Sequence, residues 1–263
     1  MPERTLEIEN NGAVAWVWMN RPAVHNALNE AMIDELAETF LDLGENASVR
    51  AIVLSGRGKS FSAGGDIEYM KRQGAAPREV NLATARGLAE MFRIIATCPR
   101  PTIARVNGAA MGGGIGLVTA CDIALASSAA FFAASEVRLG LIPSTIAPYV
   151  VRAIGPRQAS RLFVTGERID AAHAEHIGLV HEAAPVDQLD ARLQAIVNHL
   201  LLGAPGAQSD AKIMIDAVVY RPITRDLMEE TAIAIADRRS DPEAVEGLGA
   251  FLEKRPPDGV PEK

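Results

Sequence analysis

Two glycine-rich segments and one acid carry the residue types best suited to chemistry. Phe61-Ser62-Ala63-Gly64-Gly65-Asp66-Ile67 and Val106-Asn107-Gly108-Ala109-Ala110-Met111-Gly112-Gly113-Gly114 each place glycines between an expected strand and an expected helix. Backbone without side chains can approach a ligand closely there and aim N–H groups at an oxygen. If the two segments converge, they form a two-donor oxyanion hole, where one donor is worth roughly 2.7–4 kcal/mol in a transition state. Taken singly, each segment reads better as a tight turn with a glycine-rich helix packed closely on a sheet. Glu136 lies between Phe131-Phe132-Ala133-Ala134-Ser135 and Leu139-Gly140-Leu141-Ile142-Pro143. A carboxyl in such apolar surroundings has a raised pKa and suits proton transfer to or from carbon. An exposed acid at a strand end explains the residue equally well.

Other chemistries find no support. Gly58-Lys59-Ser60 resembles the end of a phosphate-binding loop, but the glycine needed earlier is Val53. Gly112 to Gly116 does not fit the dinucleotide pattern of spaced glycines. No G-x-S-x-G elbow marks a hydrolase serine. His173 and His176 share a helical spacing without the further ligands a metal needs, so a solvated helix is the better reading and no metal is expected. His25 is ambiguous alone. Cys98 and Cys121 read as packing residues.

The positioning elements follow from periodicity. Val14 to Met19, Ala51 to Leu54, Pro101 to Val106 and Ile123 to Ala126 read as strands. Ala31 to Leu43 and Glu79 to Thr97 read as helices, the second with a stripe of Leu82, Leu88, Met91, Phe92 and Ile95. A strand pair is expected near Phe131. The alternation predicts an α/β sheet with right-handed crossovers. Past Ala183 the pattern turns helical, over Val186 to Leu202, Pro205 to Val219, Thr224 to Arg239 and Pro242 to Lys254. The expected organisation is a core over residues 1–184 and a helical region over 185–263.

Composition narrows the partners. The chain has 263 residues, 48% hydrophobic and 22% charged, enough to bury a full core. Its net charge of -7 argues against duplex DNA, RNA or an anionic membrane surface as a partner. Two cysteines give no disulfide framework. The polar start Met1-Pro2-Glu3-Arg4 does not read as a secretory signal, so a cytoplasmic location is expected. The apolar stretch Met111 to Ser135 carries Asp122 and reads as buried core rather than a membrane span.

In order along the chain, these segments resemble the crotonase family, the enoyl-CoA hydratase/isomerase superfamily. The resemblance runs from about Leu6 to Arg255. It rests on Asn20-Arg21-Pro22 with Asn26-Ala27-Leu28, the two glycine segments, Ala120-Cys121-Asp122-Ile123, and Glu136 with Leu139 to Pro143. Gly178-Leu179-Val180 and Phe251-Leu252-Glu253-Lys254-Arg255 complete it. It implies an α/β fold, a crotonase-like spiral of strand-strand-helix turns with a C-terminal helical trimerisation region, and assembly as a homotrimer or homohexamer. It implies an acyl-CoA thioester as the partner and no cofactor beyond the coenzyme A of the substrate. By the same resemblance, the N–H groups of Gly65 and Gly113 hold the thioester oxygen and Glu136 moves the proton. Ala63, Gly64, Asp66 and Ile67 would contact the adenine, Arg21 and Val24 would line the pantetheine and phosphate path, and Phe251 and Lys254 would cover the nucleotide.

The sequence departs from the family's two-glutamate hydratases, because Gly116 stands where they carry a second glutamate. Its flanks, including Val24-His25-Asn26, Tyr69-Met70-Lys71-Arg72 and Ile146 to Arg152, resemble bacterial methylglutaconyl-CoA hydratases of leucine breakdown. That resemblance implies a branched or carboxylated substrate, whose distal carboxylate would meet Lys71, Arg72 or Arg86. Three functions stay open: an enoyl-CoA hydratase, an enoyl-CoA isomerase using Glu136 alone, and a non-catalytic acyl-CoA-binding protein.

Overall fold

The computed structural model describes residues 4–258. The chain runs β1 (Leu6–Asn11), β2 (Val14–Met19), α1 (Glu30–Glu45), β3 (Ala51–Gly56), β4 (Ser60–Ser62), α2 (Ile67–Ala75), α3 (Arg78–Ala96) and β5 (Thr102–Val106). It continues β6 (Ala109–Met111), α4 (Gly113–Ala120), β7 (Ile123–Ser127), β8 (Phe131–Ala133), α5 (Ala147–Thr165), β9 (Arg168–Asp170), α6 (Ala171–His176) and β10 (Glu182–Ala184). Four helices close it: α7 (Leu189–Leu202), α8 (Pro205–Val218), α9 (Arg225–Arg239) and α10 (Pro242–Glu253).

The strands form a six-stranded sheet, ordered β1-β2-β3-β5-β7-β10, and a four-stranded sheet, ordered β4-β6-β8-β9. In the larger sheet β1 pairs antiparallel to β2 and the other neighbours are parallel. Why β3 reads as an unbroken apolar run is visible in its alternation. Ile52 and Leu54 face one core, beside Met32, Leu36 and Phe92. Ala51 and Val53 face a second core, with Leu189, Leu193 and Val197 of α7. A parallel strand covered on both faces needs apolar residues at every position.

Several expectations are refined. The strand β1 escapes periodicity because it is a polar edge: only Leu6 of its six residues is buried. The helix α3 spans nearly the expected residues, but Leu82 is exposed; only the C-terminal half, with Met91, Phe92, Ile94 and Ile95, enters the core. The helix expected from Val186 begins at Leu189. The boundary expected at 184 precedes α7, which packs on the main sheet, whereas α8, α9 and α10 pack on one another. No helix among the described residues is long and apolar enough to cross a membrane.

Candidate active site

The site is assembled where the two sheets meet. The segment that follows β4 is strapped to the turn before α1. Leu28 donates its N–H to the Gly64 carbonyl at 2.7 Å, and Asp66 N–H donates to the Leu28 carbonyl at 2.9 Å. Ala63 N–H donates to the His25 carbonyl at 2.9 Å. Asn26 is the hub beneath. It is fully buried in the left-handed region (φ 56°), a conformation asparagine tolerates better than most residues. Its amide nitrogen donates to the carbonyls of Arg57, Ser60 and Phe61, and its amide oxygen accepts from Arg21 N–H. Ser62 completes the strap, donating to the Asn26 carbonyl and accepting from Gly64 N–H.

With the strap in place, Gly65 presents an N–H that no protein acceptor takes among the described residues. Gly113 opens α4, so its N–H has no partner within the helix and carries part of the positive end of the helix dipole. The two segments touch. A methyl group placed on Gly64 would come 2.6 Å from the Met111 carbonyl oxygen and 3.2 Å from the Gly113 nitrogen. Gly64 also holds φ +83°, so glycine is required there twice over. Gly112, at φ +47°, donates its N–H to the Ala133 carbonyl at 2.9 Å, which ties the second segment to β8 and the turn that follows it.

That turn, Glu136–Leu139, delivers the acid. A methyl group on Gly112 would lie 3.0 Å from Glu136 Oε1, which places the carboxyl one residue from the Gly113 amide. Glu136 Oε2 is buried and has no hydrogen-bond partner. Burial pushes the carboxyl above the usual glutamate range, offset only in part by its own backbone N–H. Glu136 is half-buried beside the second glycine segment rather than an exposed acid at a strand end. Two adjacent amide donors and a proton-hungry carboxylate can stabilise an enolate oxygen while moving a proton at the neighbouring carbon.

Around this centre the other expected residues are distributed unevenly. Asp66 caps α2 and accepts from Tyr69 N–H at 3.1 Å. Burial opposes its ionisation, but the Tyr69 N–H and the Arg21 guanidinium outweigh that and hold its carboxyl below the usual range. Arg21 binds Asp66 at 3.1 Å and also the Ala27 carbonyl, so it clamps one segment to the other. Val24 and Ile67 are exposed at the mouth, and Ala63 is half-buried. Phe251 is 80% exposed at the end of α10, and Lys254 caps that helix in the left-handed conformation. Neither shares a hydrogen bond or ion pair with the glycine segments. His173 and His176 sit on α6 with ring centroids 6.4 Å apart. Among the described residues no three His, Cys, Asp or Glu side chains converge as a metal-binding group.

Sequence reasoning gave no role to four apolar neighbours. Met70 Sδ would lie 2.8 Å from a methyl on Gly65, and Leu28 Cδ1 2.9 Å from one on Gly113. Phe92 and Ile146 pack on Gly116: a methyl there would meet Ile146 Cγ2 at 2.4 Å and two Phe92 ring carbons at 2.7 Å. Both side chains are buried. No carboxylate fits at this position. Gly116→Ala is expected to destabilise the protein by about 1–3 kcal/mol through overpacking, read as a lower melting temperature, despite alanine's better helix propensity. An unchanged or higher melting temperature would refute the packing argument.

The arrangement has relatives. The family profile described as enoyl-CoA hydratase/isomerase matches residues 9–259. A putative enoyl-CoA hydratase of Thermus thermophilus is 35% identical over 94% of this chain and 97% of that protein. A short-chain-enoyl-CoA hydratase of Clostridium acetobutylicum is 33% identical over 96% of each. The crystal structure of an enoyl-CoA hydratase from Shewanella pealeana superposes with a TM-score of 0.94 at 38% identity, covering 97% of this chain and 95% of that one. With the paired glycine segments and the half-buried acid already in place, these matches show that the chain is a crotonase-fold enzyme of the enoyl-CoA hydratase/isomerase family.

Proposed function

We propose that this enzyme adds water reversibly across the α,β double bond of an enoyl-CoA thioester. The observation that carries the reading is Glu136, a half-buried carboxyl whose Oε2 is buried and unpartnered, set one residue from the Gly113 amide. The thioester oxygen lies between the N–H groups of Gly65 and Gly113. Glu136 takes a proton from water, the water oxygen bonds to the β-carbon, and the developing enolate charge rests on the two amides. Glu136 then returns the proton to the α-carbon, so that one water is added in all. No cofactor enters, and coenzyme A is part of the substrate. In this reading Arg21 and Val24 would line the path of its pantetheine and phosphates, and Ala63, Gly64, Asp66 and Ile67 would contact its adenine.

A branched or carboxylated acyl group, such as methylglutaconyl, is the narrower substrate reading. Its support is the sequence flanks and α2, where Lys71 and Arg72 follow Met70, the residue that packs on Gly65. Arg86 instead lines a separate depression with Glu90, Arg93 and Tyr149. Lys71→Ala and Arg72→Ala variants that both leave the preference for carboxylated over plain enoyl-CoA unchanged would remove this narrower reading.

The packed Gly116 favours a second reading, isomerisation, because one carboxylate suffices to carry a proton between the α and γ carbons. Absorbance of the conjugated thioester separates the two. A hydratase removes it from crotonyl-CoA, whereas an isomerase creates it from a 3-enoyl-CoA; a wild type that does neither would leave only acyl-CoA binding.

Assembly into a homotrimer or homohexamer fits the apolar side chains left exposed on and between α8, α9 and α10, among them Ile213, Ile223, Ile233 and Leu252. In such an assembly Phe251 and Lys254 would reach a neighbour's nucleotide. A monomeric mass in sedimentation would overturn this.

A further inference from the structure

We infer that Phe92 closes the acyl end of the site and restricts the enzyme to short acyl chains. The inference rests on the proposed thioester placement at Gly65 and Gly113. Gly113 and Gly116 stand three apart on α4 and therefore share a face of the helix. Phe92, fully buried on α3, lays its ring across both: Cζ is 4.0 Å from the methyl position of Gly113 and 2.7 Å from that of Gly116. An acyl chain leaving a carbonyl held at Gly113 and running along this face meets the ring within one helical turn, about 5.4 Å, a reach of a few carbon–carbon bonds.

A depression opens beside the residues that neighbour the ring. Tyr149 also packs on Phe92, with ring centroids 5.8 Å apart and planes tilted by 47°. Tyr149 in turn lines a depression of about 690 Å³ with Arg86, Gly87, Ala89, Glu90 and Arg93. Ala89 and Arg93 flank Phe92 on α3, so the same helix carries the barrier and the wall of the space beyond it. Removing the Phe92 ring would let an acyl chain pass along α4 toward this depression, whereas removing the Tyr149 ring would only enlarge the depression. Ile146, packed beside Phe92 on Gly116, narrows any route around the ring.

The test is the ratio of kcat/KM for 2-decenoyl-CoA to that for crotonyl-CoA in the wild type, Phe92→Val, Phe92→Ala and Tyr149→Ala, each checked for a cooperative melt. The wild type is expected to favour crotonyl-CoA at least about tenfold. Phe92→Ala raises the decenoyl-to-crotonyl ratio at least about tenfold, Phe92→Val raises it less, and Tyr149→Ala leaves it within about threefold. A wild type that handles both chains equally overturns the proposal, whether or not the variants fold. So does an unmoved ratio in a folded Phe92 variant. If the wild type converts no enoyl-CoA, the proposed reaction fails instead. Calorimetric binding of butyryl-CoA and decanoyl-CoA then reads the barrier alone: wild-type preference for butyryl-CoA that Phe92→Ala reverses supports it, and equal binding refutes it.

Discussion

Glu136→Gln is expected to lower kcat by about 10²–10⁴-fold and leave acyl-CoA binding nearly intact. Glutamine keeps the shape of the side chain but neither takes nor returns a proton. The same substitution is expected to hold or raise the melting temperature at neutral pH. The reason is linkage. Burial raises the folded-state pKa of Glu136, so the folded protein holds this proton more tightly than the unfolded chain. The stability this contributes is full at low pH, below the unfolded pKa. It is lost as pH rises through the unfolded value and then through the raised folded one. Once ionised, the carboxylate keeps its buried Oε2 unpartnered, a cost that glutamine removes. The melting-temperature difference between variant and wild type therefore shrinks toward acid pH. In the wild type, the acid limb of kcat/KM reports the ionisation of Glu136 and lies above the usual glutamate range. A fully active Glu136→Gln, or an acid limb at or below that range, would remove Glu136 from its role.

Gly64→Ala is expected to lower kcat by about 10²–10³-fold, the effect of losing one oxyanion donor. The methyl would press on the Met111 carbonyl and crowd the Gly113 nitrogen, forcing apart the two segments whose amides must point to one oxygen. Backbone strain accompanies this, since Gly64 holds φ +83°. Gly12→Ala separates strain from displacement. Gly12 sits in the β1–β2 turn at φ +58° with nothing within 4 Å of a methyl, so that variant loses stability but keeps its turnover. Equal kcat in Gly64→Ala and the wild type would mean that the convergence of the two segments does not set the rate.

The two predictions draw on different kinds of information. The glycine segments were legible in the sequence because a tight turn after a strand leaves a local signature of residue type. The buried strands were legible too, since a parallel strand such as β3 needs apolar residues on both faces. The helices past Ala183 announced themselves by period, and in α10 Asp241 caps the helix just ahead of Pro242. These are local physics: backbone conformation, capping and periodic burial.

Tertiary structure alone decided the rest. Glu136 stood evenly between an exposed acid and a carboxyl in apolar surroundings until the chain placed it against Gly112, on a strand-to-helix turn 24 residues earlier in the sequence. The edge strand β1 is polar and gave no periodic sign, and only its pairing with β2 makes it a strand. Arg21 read as a cation for a phosphate path, yet the fold turns it onto Asp66 and the Ala27 carbonyl. Gly116 was legible as a missing acid, but that Phe92 and Ile146 fill the space around it follows from packing between α3, α4 and the start of α5. Residue type fixes what a side chain can do. Where it meets the others depends on contacts between segments far apart in the chain, and a local pattern carries no record of those.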